Sequence, residues 1–175
     1  NINTITRKKK LIPIPLDFIE ICKTFNLNLI EIVYWHKSSA IPSKFKFSDH
    51  FEYFLIFTKG NGRLLENKTF NTYKTNLKLN KPNIWKINKK FGNIGKKYMS
   101  HPALFPIEYI ENLISIFTKP EEIVLDPFLG AATTLIAADR RNRSSIGFEI
   151  NSSFKELINI RCIDEKVINN IEFIA

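Results

Sequence analysis

EIVLDPFLGAATTL, residues 122–135, is the stretch on which the fold turns. Ile123, Val124 and Leu125 form a short apolar run between acids, which reads as a brief buried strand over 122–126. Asp126-Pro127 ends it, because proline offers no N–H to a ladder. Past Gly130 the composition turns Ala-rich and predicts a helix over 132–140, with Arg140, Arg141 and Arg143 expected as its solvated end, where cations suit the dipole. A second pair follows, a strand over 144–150 and a helix over 152–161. Strand, helix, strand, helix with short joints is the pattern of a parallel, doubly wound α/β sheet.

Outward from that core, residues 106–117 carry Ile107, Tyr109, Ile110, Leu113, Ile114 and Phe117 on one helical stripe that stops at Lys119-Pro120. Residues 16–25 predict a short helix behind Pro15. LNLIEIVYW (27–35) and FEYFLIFT (51–58) predict two strands able to pair in one sheet. Gly60-Asn61-Gly62 predicts a turn.

The chain has 175 residues, 44% hydrophobic, enough for one buried core and against outright disorder. No apolar run reaches the roughly 20 residues of a spanning helix, and no signal peptide is evident, so a soluble, cytoplasmic protein is expected. Cys22 and Cys162 are far apart, and His36, His50 and His101 are not at ligand spacing; no metal site and no disulfide are expected. The formal charge of +9 is not spread evenly. Residues 60–100 hold ten Lys or Arg against one acid, Glu66, so the entire surplus lies there. Phe70, Tyr73, Trp85, Phe91 and Tyr98 interleave with those cations, which suits phosphates and bases respectively. A solvated Lys-rich loop is the alternative. Lys81, Trp85, Lys86, Lys89, Lys90, Lys96 and Lys97 are the candidate nucleic-acid contacts, although packing is the more ordinary role for a tryptophan.

In an open parallel sheet, ligands bind beyond the carboxyl ends of the strands. Gly130 permits close approach there, and helix-terminal N–H groups with the Thr133 and Thr134 hydroxyls suit a carboxylate or phosphate. Glu149, 23 residues after Asp126 and at the end of the next strand, is placed to accept from ribose hydroxyls. A dinucleotide is disfavoured because G-x-G-x-x-G is absent and Asp126 stands at the first glycine position. An acid there suits the ammonium of a methionine moiety, and so S-adenosylmethionine.

DPFLGAATT (126–134) resembles the DPFxGxGTT motif of the amino-group DNA methyltransferases, which modify adenine N6 or cytosine N4. HPALFP (101–106) is similar to their HPAxFP motif. Ile14-Pro15, YWHK (34–37) and FEYFLIFTK (51–59) resemble their post-catalytic strands. The resemblance implies a Rossmann-like methyltransferase sheet with an inserted basic recognition region, in the permuted β order. It implies a post-catalytic part at 1–59, target recognition at 60–100 and a cofactor part at 101–175. Asp126, Phe128, Gly130, Thr133, Thr134 and Glu149, joined by His101 and Phe105, are the implied S-adenosylmethionine contacts, and double-stranded DNA the partner.

Two departures stand out. The family's Pro-Pro-aromatic tetrapeptide, which holds the flipped base, has no counterpart, since none of the eight prolines adjoin. In the β order it precedes residue 1, and a chain starting at Asn1 is expected to be a fragment or split part, incomplete at its central strand, needing the catalytic portion or a partner subunit. No catalytic residue is assigned. The second departure is Ala132, where the family has Gly; Ala is expected to fit only if its φ is negative. The competing readings are a non-catalytic DNA-binding remnant, and an RNA or small-substrate methyltransferase.

Overall fold

A computed structural model of the chain describes residues 3–8, 10–37, 50–60, 83–86 and 106–167. The first four stretches belong to one compact unit and 106–167 to another.

In the first unit, β1 (Ile5–Arg7) and β2 (Lys10–Ile12) form a small antiparallel pair around Lys8, whose φ is 49°. Three residues per strand carry too little alternation to show in the sequence. Helix α1 (Ile14–Thr24) has Pro15 in its first turn, where no N–H is required. β3 (Leu27–His36) pairs antiparallel with β4 (Phe51–Lys59), as their aromatic and β-branched content predicts. Tyr34 lies opposite Tyr53, with the rings edge to face at 5.6 Å. On the other side of β3 a two-residue strand, β5 (Ile84–Trp85), runs parallel, pairing Trp35 with Trp85. Val33, Trp35, Phe54, Trp85 and Cys22 are the buried apolar residues here. Each such ring removes roughly 200 Å² from water, so the three large aromatics dominate this core.

The second unit runs α2 (Ile107–Phe117), β6 (Ile123–Asp126), α3 (Thr133–Arg140), β7 (Ser144–Gly147), α4 (Phe154–Asp164). β6 and β7 are parallel, in register from Ile123 opposite Ser144 to Asp126 opposite Gly147, with α3 as the crossover. This is the βαβ unit that residues 122–150 predict. Val124 packs with Ile114, Ala137 and Ala138, while Ala132 and Ile136 pack with Ile158 and Cys162 of α4. Small alanines let the helix lie close to the sheet.

Three expectations change. The strand over 123–126 is not buried on both sides: Ile123, Leu125, Ile146 and Phe148 are each at least half exposed on the face away from α3. Among the described residues β6 has β7 as its only neighbour. The second strand stops at Gly147 rather than running to Ile150, because the next residues turn back onto the loop after β6. Arg140, Arg141 and Arg143 are not a solvated helix end. Arg143, 5% exposed, donates to Thr118 Oγ1 (2.9 Å), Thr118 O (2.6 Å) and Arg141 O. Arg140 pairs with Glu165 (2.5 Å) and Arg141 with Glu111 (2.9 Å). The carbonyls where α2 and α3 end, with the Glu111 and Glu165 carboxylates, supply the acceptors that the sequence could not show.

Among the described residues no helix is long and apolar enough to cross a membrane, and no group of His, Cys, Asp and Glu is arranged to hold a metal. Cys22 and Cys162 are free and buried. Burial pushes the Cys162 thiol up to about 11, against the opposing pull of Arg161, so it is neutral at physiological pH.

Candidate cofactor site

The two carboxylates singled out by spacing stand at the carboxyl ends of adjacent strands and hold the same loop. Asp126 Oδ1 accepts from Phe128 N at 3.0 Å, closing the turn that Pro127 begins. Glu149 Oε2 accepts from Gly130 N at 2.8 Å, and its Oε1 from Asn151 N at 2.8 Å. The backbone adds two further ties, Phe148 N to Asp126 O at 2.9 Å and Leu129 N to Phe148 O at 2.8 Å. Loop 126–132 and segment 147–151 are thus one laced structure rather than two independent turns. Gly147 is the closest point of approach, since an added Cβ would meet Leu129 Cδ1 at 2.7 Å.

Gly130 has φ 54°, a left-handed turn that glycine adopts freely. The next residue but one is the correction to the sequence reading: Ala132 has φ 61° and ψ 28°, also left-handed, and is fully buried. The expected negative φ is not found. A left-handed alanine costs about 1–2 kcal/mol. Its methyl sits in the cluster with Ile136, Ile158 and Cys162, and burying one such carbon contributes about 0.8 kcal/mol. Glycine would also loosen the unfolded chain by about 0.4–1 kcal/mol. These contributions nearly cancel, which accounts for an alanine at a position shaped for glycine. Ala132→Gly is accordingly expected to move the thermal midpoint by no more than about 4 °C in either direction. Differential scanning calorimetry checks this; a rise beyond about 8 °C would show that strain outweighs packing.

Ala132 is the N-cap of α3 and no side chain caps the helix, so its first N–H groups suit an acidic or anionic group. Phe128, 88% exposed, projects from the loop. Thr134 is half-buried, whereas Thr133 is turned inward and its Oγ1 accepts from Arg161 Nη1 at 2.8 Å. Thr133 therefore supports the loop instead of offering a free hydroxyl. Arg161 went unnoticed in the sequence. The available signal was its place on the inward stripe of α4 with Leu157, Ile158 and Cys162. At the other end of the site, Asn151 Oδ1 accepts from Ser153 N (3.1 Å) and Oγ (2.7 Å), which fixes the turn into α4.

Asp126, Phe128, Gly130, Thr134 and Glu149 are thus gathered at one place. His101 and Phe105 lie outside the described residues, as do Lys81, Lys89, Lys90, Lys96 and Lys97. Lys86 is exposed. Trp85 is 4% exposed with its ring 6.3 Å from that of Phe54, so it is a core residue of the first unit and its ring is not free to stack on a base. The donor set fits an amino-acid-bearing nucleoside: open helix N–H groups for a carboxylate, Asp126 for an ammonium, Glu149 for ribose hydroxyls, and a glycine that leaves room between them.

The DNA methylase family model covers residues 2–160. The chain is 32% identical to the type II methyltransferase M.MjaI of Methanocaldococcus jannaschii, across 99% of this chain and 65% of that protein. It is 29% identical to M.MthZI of Methanothermobacter thermautotrophicus, across 95% of this chain and 52% of that one. The chain therefore spans roughly half to two thirds of these relatives. Among solved structures, the cytosine-N4-specific PvuII DNA methyltransferase matches with a TM-score of 0.75 at 24% identity, over 97% of this chain and 63% of that one. TTHA0409 of Thermus thermophilus, solved in complex with S-adenosyl-L-methionine, matches with a TM-score of 0.70 at 23% identity, over 99% and 70%. These likenesses establish the fold as a Rossmann-like α/β methyltransferase fold.

Proposed function

The chain belongs to the DNA methylase family, and from that premise we propose that it is the recognition and cofactor part of a site-specific DNA methyltransferase acting on adenine N6 or cytosine N4. The observation that carries the proposal is the lacing of Asp126 and Glu149 onto one glycine loop at the carboxyl end of a βαβ unit. S-adenosylmethionine supplies a methyl group on a sulfonium, ready for attack by an exocyclic amine. The chain's own residues bind and orient: the N–H groups at the start of α3 take the carboxylate, Asp126 the ammonium, and Glu149 the ribose. His101 and Phe105, by their place in HPALFP, border the same cofactor.

Residues 1–59 are proposed as the post-catalytic part, 60–100 as target recognition and 101–175 as the cofactor part. Lys81, Lys86, Lys89, Lys90, Lys96 and Lys97 grip the phosphates of double-stranded DNA. Catalysis then requires a Pro-Pro-aromatic portion supplied from upstream or by a partner subunit. The exposed apolar face of β6 and β7, with an unpaired β6 edge among the described residues, suits completion by such a portion.

The DNA arm is tested by fluorescence anisotropy over a salt series. Binding through about five phosphates gives a slope of log K against log salt of about −4 to −5. The double substitution Lys89→Ala, Lys90→Ala is expected to lower its magnitude by about 2. A slope near zero would remove residues 60–100 from the DNA interface. Retained DNA binding with no response to S-adenosylmethionine would favour the other reading, a non-catalytic remnant.

A further inference from the structure

Arg161 is 2% exposed and lies beneath the loop that the proposed cofactor reading depends on. Its Nη1 donates to Ala131 O at 2.6 Å and to Thr133 Oγ1 at 2.8 Å. Those acceptors flank Ala132, the non-glycine residue held left-handed at φ 61°. A strained backbone conformation persists only where its surroundings over-determine it. Burying a guanidinium is expensive, and here Nη1 makes two hydrogen bonds while Nε finds no acceptor among the described residues, so the placement carries a cost that its hold on the loop must offset. The chain reaches this position from 30 residues downstream, through α4, which packs on α3.

We propose that Arg161 is a positioning residue for cofactor binding: by clamping the carbonyl before Ala132 and the hydroxyl after it, the guanidinium holds the left-handed turn that aims the first N–H groups of α3 at the cofactor. It touches neither the cofactor nor the reacting atoms. The inference rests on the proposed S-adenosylmethionine site but concerns a residue outside the motif that defines it. Its logic is local. Without the clamp the backbone at 132 relaxes toward negative φ, the N–H groups of Thr133 and Thr134 swing away, and the loop becomes a mixture in which only a fraction is competent to bind.

The test compares the 175-residue chain with Arg161→Met, whose unbranched side chain fills similar space without a charge. Two readouts are taken, amide hydrogen exchange at residues 130–134 and calorimetric affinity for S-adenosylmethionine. We expect exchange at those amides to accelerate at least tenfold in the variant while amides of β7 and α2 hold their rates, and affinity to fall about tenfold. Arg161→Lys, which keeps the charge on a shorter stem, is expected to recover part of both losses. It also serves as the second variant if Arg161→Met does not fold. Unchanged loop exchange in a folded variant would overturn the proposal, as would a uniform acceleration over the whole second unit. If the parent chain itself binds no S-adenosylmethionine, the cofactor reading fails, and loop exchange still decides whether Arg161 holds the turn.

Discussion

Glu149→Ala is expected to weaken S-adenosylmethionine binding about 100-fold. Each oxygen of this carboxylate accepts a backbone N–H, from Gly130 and from Asn151. A hydrogen bond to a charged group contributes about 1.5–3 kcal/mol, and removing this acceptor frees both N–H groups and deletes the ribose partner together. A net loss of about 3 kcal/mol corresponds to the stated factor. Glu149→Gln sharpens the test. Its amide keeps one acceptor but turns an NH₂ toward the other backbone donor, so an intermediate loss of about tenfold is expected. Calorimetric titration of the three forms checks the ordering. Equal affinity in all three would show that Glu149 ties the loop without contacting the nucleoside.

A larger effect is expected in turnover. The purified 175-residue chain should transfer no methyl group to DNA above background, while adding a polypeptide that carries the Pro-Pro-aromatic portion should raise the rate by on the order of 10⁴-fold or more. The rate depends on positioning. The exocyclic amine must be held and aligned with the methyl group, and orientation of that kind contributes on the order of 7–11 kcal/mol to enzymatic rates. Flipping and stacking the base needs residues that accept from the amine and an aromatic surface. Trp85, the one aromatic among the described residues of the 60–100 segment, is spent in the core. Radiolabelled methyl transfer measures this; transfer by the unassisted chain would show that its own residues perform the catalytic role.

Much of the second unit was legible in residues 122–150. A short apolar run, a Pro-Gly joint and an Ala-rich segment leave few alternatives to a βαβ unit; Asp126 ends its strand as expected, while Glu149 lies two residues beyond the end of β7. What the sequence hid follows from its local character. Alanine carries no mark of a left-handed φ, because its own preference is right-handed. Arg161 and Arg143 look like ordinary charges near helix ends; their burial becomes visible only once their distant acceptors, Ala131 and Thr118, are in place. Ile123 and Leu125 look like core residues, and their exposure depends on what covers the far face of the sheet. Trp85, offered both as a nucleic-acid contact and in the more ordinary packing role, takes the packing role, since its backbone pairs with β3 and its ring lies near Phe54.

The central claim is that a methionine-bearing nucleoside lies against the loop held by Asp126 and Glu149. The most direct measurement is a titration of ¹⁵N-labelled chain with S-adenosylmethionine, followed by amide chemical shifts. The account predicts saturable shifts concentrated at Phe128, Gly130, Thr133, Thr134 and Asn151, the N–H groups of the loop and its straps. Saturable binding that leaves those five amides unmoved, or no binding at all, would contradict it.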